Sequence, residues 1–162
     1  MKTGIYPGSF DPFTNGHMDI LLRASALLDR VVVATLINSA KEPFFSMEER
    51  VQYIKNVIAA HRLQNVEVGR FDGLLVNYAR KEGAQYIIRG LRAVTDFEYE
   101  FQIGAMNRKL APDVETIYFM AEAEHAYISS SVVREIGMLG GSIDTLVPEI
   151  NKSSIIERLT KR

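Results

Sequence analysis

The 162-residue chain contains no cysteine. Disulfides, thiolate nucleophiles and cysteine-ligated zinc are therefore excluded, and a reducing compartment suits the composition. Nor is either charge in excess: 19 Lys and Arg stand against 20 Asp and Glu, a formal net charge of −1. No global basic field points to nucleic acid as a partner. No apolar run is long enough to span a bilayer. One early lysine followed by polar sequence does not make a signal-peptide core. A cytoplasmic protein without a membrane partner is the expectation. Two phosphate-binding motifs are also missing. No G-x-G-x-x-G follows the first strand, which argues against a dinucleotide dehydrogenase, and G-x-x-x-x-G-K-[ST] occurs nowhere, which excludes a P-loop kinase.

What is present is ordinary globular material, 47% hydrophobic and 24% charged, enough to bury a core without staples. One domain over residues 1–162 is expected. Strand and helix patterns alternate throughout. Thr3–Tyr6 reads as a strand, and Ile20, Ala24, Leu27 and Leu28 fall at helical spacing. Val31–Ile37 is a β-branched apolar run of the kind covered on both faces. Ser46–Glu49 has the spacing of a capping box and leads into Val51, Ile54 and Ile58 on one helix face. Val66–Val68 reads as a strand, Leu74–Glu82 as a helix stopped by Gly83, and Tyr86–Ile88 as the fourth strand. Thr95–Glu98 reads as a second capping box, opening a helix to about Leu110, with Pro112 just beyond. Thr116–Met120 is the fifth strand. Ser129–Ser131 precede a helix closed by Gly140-Gly141, and Pro148 suits the first turn of a last one. The pattern predicts an α/β fold: a single Rossmann-like domain, a five-stranded parallel sheet with helices on both faces.

In such sheets ligands bind beyond the carboxyl ends of the strands. The residues that follow each strand are chemically apt. Ser9, Asp11 and His17 follow the first; Asn38 and Lys41 the second; the Phe71–Leu75 turn the third; Arg89, Gly90 and Arg92 the fourth; His125 and Ser129–Ser131 the fifth. Cations, a histidine and hydroxyls meeting at one sheet edge suit a polyphosphate. The run Gly4–His17 itself passes from strand through a Gly- and Pro-rich turn to a helix start, where free N–H groups favour phosphate. An arginine ending an apolar strand, as Arg89 does, needs an anion or an internal carboxylate. Glu100, taken alone, reads as a solvated helix carboxylate.

Thr14-Asn15-Gly16-His17 resembles the T-x-G-H motif of the nucleotidyltransferase superfamily, and Ile128–Arg134 resembles its second signature. Ile88–Val94 and Asp96–Glu100 are similar to segments of one family within it, the bacterial phosphopantetheine adenylyltransferases. The likeness covers essentially the whole chain, in order and at matching spacing. It implies transfer of AMP from ATP to 4′-phosphopantetheine, giving dephospho-coenzyme A and pyrophosphate by direct in-line displacement. It implies that His17, Lys41 and Arg89 are catalytic, and that Ser9, Lys41, Leu75 and Arg89 hold the acceptor. ATP would be bound by Ser9, Phe10 (through its backbone), His17, Gly90, Leu91, Arg92, Glu100 and the segment His125, Ala126, Tyr127, Ile128, Ser129, Ser130, Ser131. The resemblance further implies Mg²⁺ carried with ATP, a homohexamer, and coenzyme A as a feedback inhibitor. No protein ligand to the metal is named, although Asp11 lies within its expected reach. Two positions depart from the family pattern: His125 stands where a larger aromatic is frequent, and Met138 where some relatives have a basic residue. The helix of residues 95–110 carries Phe97, Tyr99, Phe101, Ile103 and Met106, more apolar surface than one face needs. That excess fits either a second subunit or a deep core position.

Overall fold

Alternating strands and helices build one parallel sheet. The strands are Thr3–Gly8 (β1), Arg30–Leu36 (β2), Val66–Phe71 (β3), Tyr86–Leu91 (β4) and Glu115–Met120 (β5), in the order β3-β2-β1-β4-β5. The helices are Asn15–Leu27 (α1), Met47–Ala60 (α2), Leu75–Lys81 (α3), Val94–Leu110 (α4), Ser130–Met138 (α5) and Glu149–Thr160 (α6), with a 3₁₀ turn at Ala123–His125. This computed structural model describes residues 1–37, 42–92 and 94–161, with the main chain alone at 94 and 95. None of the described helices is long and apolar enough to cross a membrane. The fold is Rossmann-like, as the alternation predicts.

Successive residues of a strand face opposite sides of its sheet, and the two cores divide accordingly. Tyr6, Val31, Val33 and Ile88 pack with Leu21 and Ala24 of α1, Ile54 and Val57 of α2, Val133 of α5 and Ile155 of α6. Their neighbours Ile5, Val32, Ala34 and Ile87 pack on the other face with Val76 and Ala79 of α3, Ala111 and Val114. Both faces of the central strands are thus covered, which explains their unbroken apolar runs.

The strands run further than the sequence signals suggest. The expected strands stop at Tyr6, Val68 and Ile88, short of Pro7, Gly8, Gly69 and Gly90, yet β1, β3 and β4 include these residues. Pairing with the neighbour explains it: Gly8 is opposite Thr35, Gly69 opposite Ala34 and Gly90 opposite Phe119. Pro7 pairs with Ala34 of β2, whereas β1 and β4 are paired only at Gly4 and Ile5. A residue without an N–H is tolerated where the strand has parted from one neighbour. That parting occurs where the strand order reverses, and it opens the crevice that holds the site.

The Ser46 capping box forms as expected, with Glu49 as its return partner. Gly83 and Gly140 end α3 and α5 with φ of 66° and 79°. The second expected box does not form. α4 begins at Val94, so Thr95 lies inside the helix. Arg92 pairs with Asp96 at 3.0 Å in an i,i+4 relation that draws the helical turn back past Thr95. Pro148 is the N-cap of α6 and stands just before its first turn.

Candidate active site

Beyond the carboxyl ends of β1 and β4 lies a cleft of about 720 Å³. Its floor is the β1–α1 loop. Phe10 there has a left-handed backbone, φ 49°, uncommon for a large side chain. Packing holds it: the Phe10 ring is buried against Tyr6, Phe13 and His17, with centroids 5.5, 5.5 and 5.1 Å away. A side chain at Gly8 would meet that ring at 2.8 Å, so glycine is required there.

The loop ends at Thr14, the N-cap of α1, and here the Thr-x-x-His spacing has a physical meaning. His17 occupies the position usually held by Glu or Gln in a capping box. Its backbone N–H donates to Thr14 Oγ1 at 3.3 Å, and its Nδ1 accepts from the Thr14 N–H at 3.0 Å. An Nδ1 that accepts carries no proton, so the neutral ring carries its hydrogen on Nε2. Burial, and then the nearby Arg92 charge, lower the His17 pKa to about 3. The ring that lines the cleft is therefore a neutral N–H donor.

Arg89 and Arg92 stand opposite. Arg89 meets Glu100 in a bidentate pair, Nε to Oε2 at 2.6 Å and Nη2 to Oε1. Glu100 is thus buried, against the reading of a solvated carboxylate, and it is the internal partner Arg89 required. Burial works against the Arg89 charge, but the hydrogen bonds and charge of Glu100 more than offset it and hold its pKa above the ordinary value. Tyr118 donates to the Glu100 carbonyl at 2.9 Å, steadying the same turn of α4. Arg92 donates to Asp96 at 3.0 Å and to the Ile128 carbonyl at 3.2 Å. Tyr6 also faces the cleft. Burial pushes its phenol far up, so it keeps its proton.

The third wall is the start of α5, and its serines divide their work. Ser129 is the N-cap, accepting from the Val132 N–H at 3.2 Å. Ser130 donates to the Pro12 carbonyl at 2.8 Å, tying α5 to the β1–α1 loop. The Ser131 side chain makes no hydrogen bond to a described residue. The N-terminal ends of α1 and α5 both border the cleft, so two partial positive charges face it.

Of the residues expected from sequence, Ser9, His17, Leu75, Arg89, Gly90, Arg92, Glu100, Ile128, Ser129, Ser130 and Ser131 line this one cleft. Phe10, Leu91, His125, Ala126 and Tyr127 do not. Phe10 and Leu91 bury their side chains in the fold. His125 packs beside Gly16, and its Nδ1 is buried without a partner among the described residues. Lys41 lies outside the described residues. Asp11 is committed elsewhere: its carboxylate accepts from the Phe44 and Phe45 N–H groups at 3.0 and 2.8 Å and meets Arg134 at 3.2 Å. Sequence reasoning passed over Tyr6, Phe71, Gly73 and Tyr99 as lining residues. Phe71 and Gly73 sat in a turn singled out only as a segment, and Tyr6 read as strand core.

Comparison with known proteins fits this geometry. Residues 5–136 match the cytidylyltransferase-like family. A phosphopantetheine adenylyltransferase of Alkaliphilus metalliredigens is 49% identical over 162 residues, covering 100% of this chain and 99% of that protein. The chain belongs to the phosphopantetheine adenylyltransferase family. It is a nucleotidyltransferase. Another relative of that name, from Caldanaerobacter subterraneus, is 50% identical over 161 residues and covers 99% of each chain. A Plasmodium falciparum nicotinic acid mononucleotide adenylyltransferase, solved with NaAD, shares the fold at a TM-score of 0.73 and 16% identity, covering 97% of this chain and 96% of that one. Such distant kinship speaks to architecture, whereas the adenylyltransferase relatives share half of this sequence along its full length.

Proposed function

We propose that the chain transfers an adenylyl group from ATP to 4′-phosphopantetheine, forming dephospho-coenzyme A and pyrophosphate in coenzyme A biosynthesis. An oxygen of the acceptor's phosphate attacks the α-phosphorus of ATP. The bond from that phosphorus to the bridging oxygen breaks, and pyrophosphate leaves with the electron pair. A phosphate monoester with a second pKa of about 6 is already anionic at neutral pH. The nucleophile therefore needs no general base, and the task left to the protein is positioning and charge stabilisation.

The observation that carries this reading is the state of His17. A ring with a pKa near 3 is a poor base and a poor acid at neutral pH, but a ready hydrogen-bond donor. With Nδ1 held by the Thr14 N–H, Nε2–H is left to donate to an α-phosphate oxygen as charge builds there. Arg89, Arg92 and the two helix N-termini supply the surrounding positive potential, and Lys41 is assigned to the reacting phosphates from the family motif. Ser9 contacts both substrates, Leu75 the pantetheine arm, and Glu100 the nucleotide, while it holds Arg89. Mg²⁺ enters on the phosphates of ATP as part of the substrate. Among the described residues no cluster of three His, Asp or Glu side chains is placed to hold a metal, and Asp11 is spent on main-chain amides. His125 lies off the cleft, so adenine is not assigned to it for stacking.

The same reading includes a homohexamer and coenzyme A as a product-like inhibitor of the cleft. Support for assembly comes from α4, where Phe97, Tyr99, Phe101 and Met106 are more than half exposed; a deep core position for this helix is thereby excluded.

The deciding experiment is pyrophosphate release with ATP and phosphopantetheine, compared with CTP and with nicotinamide mononucleotide as acceptor. Release that requires ATP and phosphopantetheine together is expected. Equal or faster release with CTP, or with the other acceptor, overturns the substrate assignment. Tight ATP binding with no release under any condition overturns catalysis.

A further inference from the structure

Arg50, on the first turns of α2, is 3% exposed and lies behind the cleft rather than in it. A buried guanidinium is costly unless its charge is matched or its donors are used. Among the described residues no carboxylate lies within ion-pairing distance of it. The two whose charges favour it most, Asp11 and Glu48, are engaged elsewhere. Asp11 binds the amides of Phe44 and Phe45 and the Arg134 side chain, and Glu48 meets Arg70 at 3.5 Å. Burial accordingly lowers the Arg50 pKa. Its Nε has no partner among the described residues. A methionine or leucine would fill the volume without that cost.

What Arg50 does hold is main chain. One nitrogen, Nη1, donates to the Ser9 carbonyl at 2.8 Å and, more weakly, to the Leu36 carbonyl at 3.4 Å. These two carbonyls have a particular place. The ladder between β1 and β2 ends at Gly8 opposite Thr35, so Ser9 and Leu36 are the next residues on each strand. There the β1–β2 ladder stops, while Leu36 stays paired with Phe71 of β3. Arg50 reaches across that fork. Both Ser9 and Leu36 line the cleft, and the Ser9 side chain makes no hydrogen bond to a described residue.

We propose that Arg50 is a positioning residue for nucleotidyl transfer: by binding the Ser9 and Leu36 carbonyls across the β1–β2 fork it fixes the loop that presents Ser9 to the reacting phosphates. The proposal rests on the adenylyl-transfer reading for its chemistry, not for its geometry. Asp11, two residues on in the same loop, accepts from the Phe44 and Phe45 amides, so the loop and the start of α2 are joined by hydrogen bonds running in both senses.

The test uses the full-length protein with Arg50→Met, which keeps the bulk, and Arg50→Lys, which keeps the charge on one compact group. Pyrophosphate release gives kcat and both KM values, calorimetry gives the ATP affinity, and melting gives stability. A misplaced reacting group costs on the order of a hundredfold, so Arg50→Met is expected to lose about tenfold to a hundredfold in kcat and to raise the KM for ATP. Arg50→Lys is expected to recover part of both. A merely structural role predicts a lower melting temperature with kcat per folded molecule and KM unchanged. A folded Arg50→Met with kcat, both KM values and ATP affinity within about twofold of wild type overturns the proposal. Failure of both variants to fold makes Arg50 a folding residue and overturns it too. If the unaltered chain releases no pyrophosphate, the reaction assignment fails alone; weaker ATP binding by the folded variants still supports the positioning role, and unchanged binding removes it.

Discussion

At the scale of single residues, the two nitrogens of His17 are placed differently. Nδ1 accepts from the Thr14 N–H and closes the capping box of α1, and Nε2 carries the hydrogen of a ring that lines the cleft. Substitution can separate them. His17→Ala removes both and is expected to lower kcat by about 10² to 10⁴. It should also cost about 1 kcal/mol through the lost return bond to the Thr14 N–H. His17→Gln supplies a carbonyl for the Thr14 N–H and an amide donor for the cleft. Its melting temperature should match wild type, with kcat between wild type and alanine. Equal melting temperatures for all three proteins would refute the capping role, and near-normal kcat in the alanine variant would refute the catalytic one. The pH dependence follows from the lowered pKa. In the unfolded chain the imidazole takes a proton below about 6.5, and in the fold it resists until about 3. Between those values the unfolded state binds more protons, so stability falls as pH drops through that window and is full above it. His17→Gln should flatten this part of the curve in a denaturation series. In the rate profile, any limb near pH 6 belongs to the acceptor phosphate and should persist in His17→Gln.

At the scale of elements, α4 and β5 are fitted by a glycine and a tyrosine. A Cβ at Gly104 would collide with the Tyr118 hydroxyl, which is itself bonded to the Glu100 carbonyl at 2.9 Å. Gly104→Ala should therefore destabilise the wild type. In a Tyr118→Phe background the obstructing oxygen is gone and the nearest atom is the ring carbon at 3.3 Å, so the same change should cost much less, helix propensity offsetting what remains by about 0.5 to 1 kcal/mol. An equal cost in both backgrounds, measured by urea melts, would refute the contact. The pattern of elements was legible because it is written in local periodicity; the junctions were less so. Ser46–Glu49 and Thr95–Glu98 carry the same capping signal, yet only the first forms, since Arg92 and Asp96 extend the second helix backward. The ends of β1, β3 and β4 were hidden because Gly and Pro signal turns locally, while the neighbouring strand keeps them in register.

At the scale of the whole molecule, most of the cleft was readable, because the rule that ligands sit beyond strand ends turns a linear list into a place. What sequence did not reveal was division of labour: which serine caps and which tethers, that Glu100 is spent on Arg89, and that Arg50 underlies Ser9. Those depend on contacts between residues distant in the chain. The exposed aromatic surface of α4 gives an assembly prediction. Sedimentation at micromolar concentration should show a species much larger than a monomer, and Phe97→Glu with Phe101→Glu, whose rings are 6.0 Å apart, should dissociate it. A monomeric wild type would refute this. One further consequence follows from how the β1–α1 loop is fastened. Asp11 binds the amides of Phe44 and Phe45, while Ser130 and Arg134 reach the loop from the far end of the sequence. Neither phenylalanine borders the cleft. Nucleotide that steadies the loop should nonetheless slow deuterium uptake at those two amides, so that occupancy of the site is felt beyond the residues that line it.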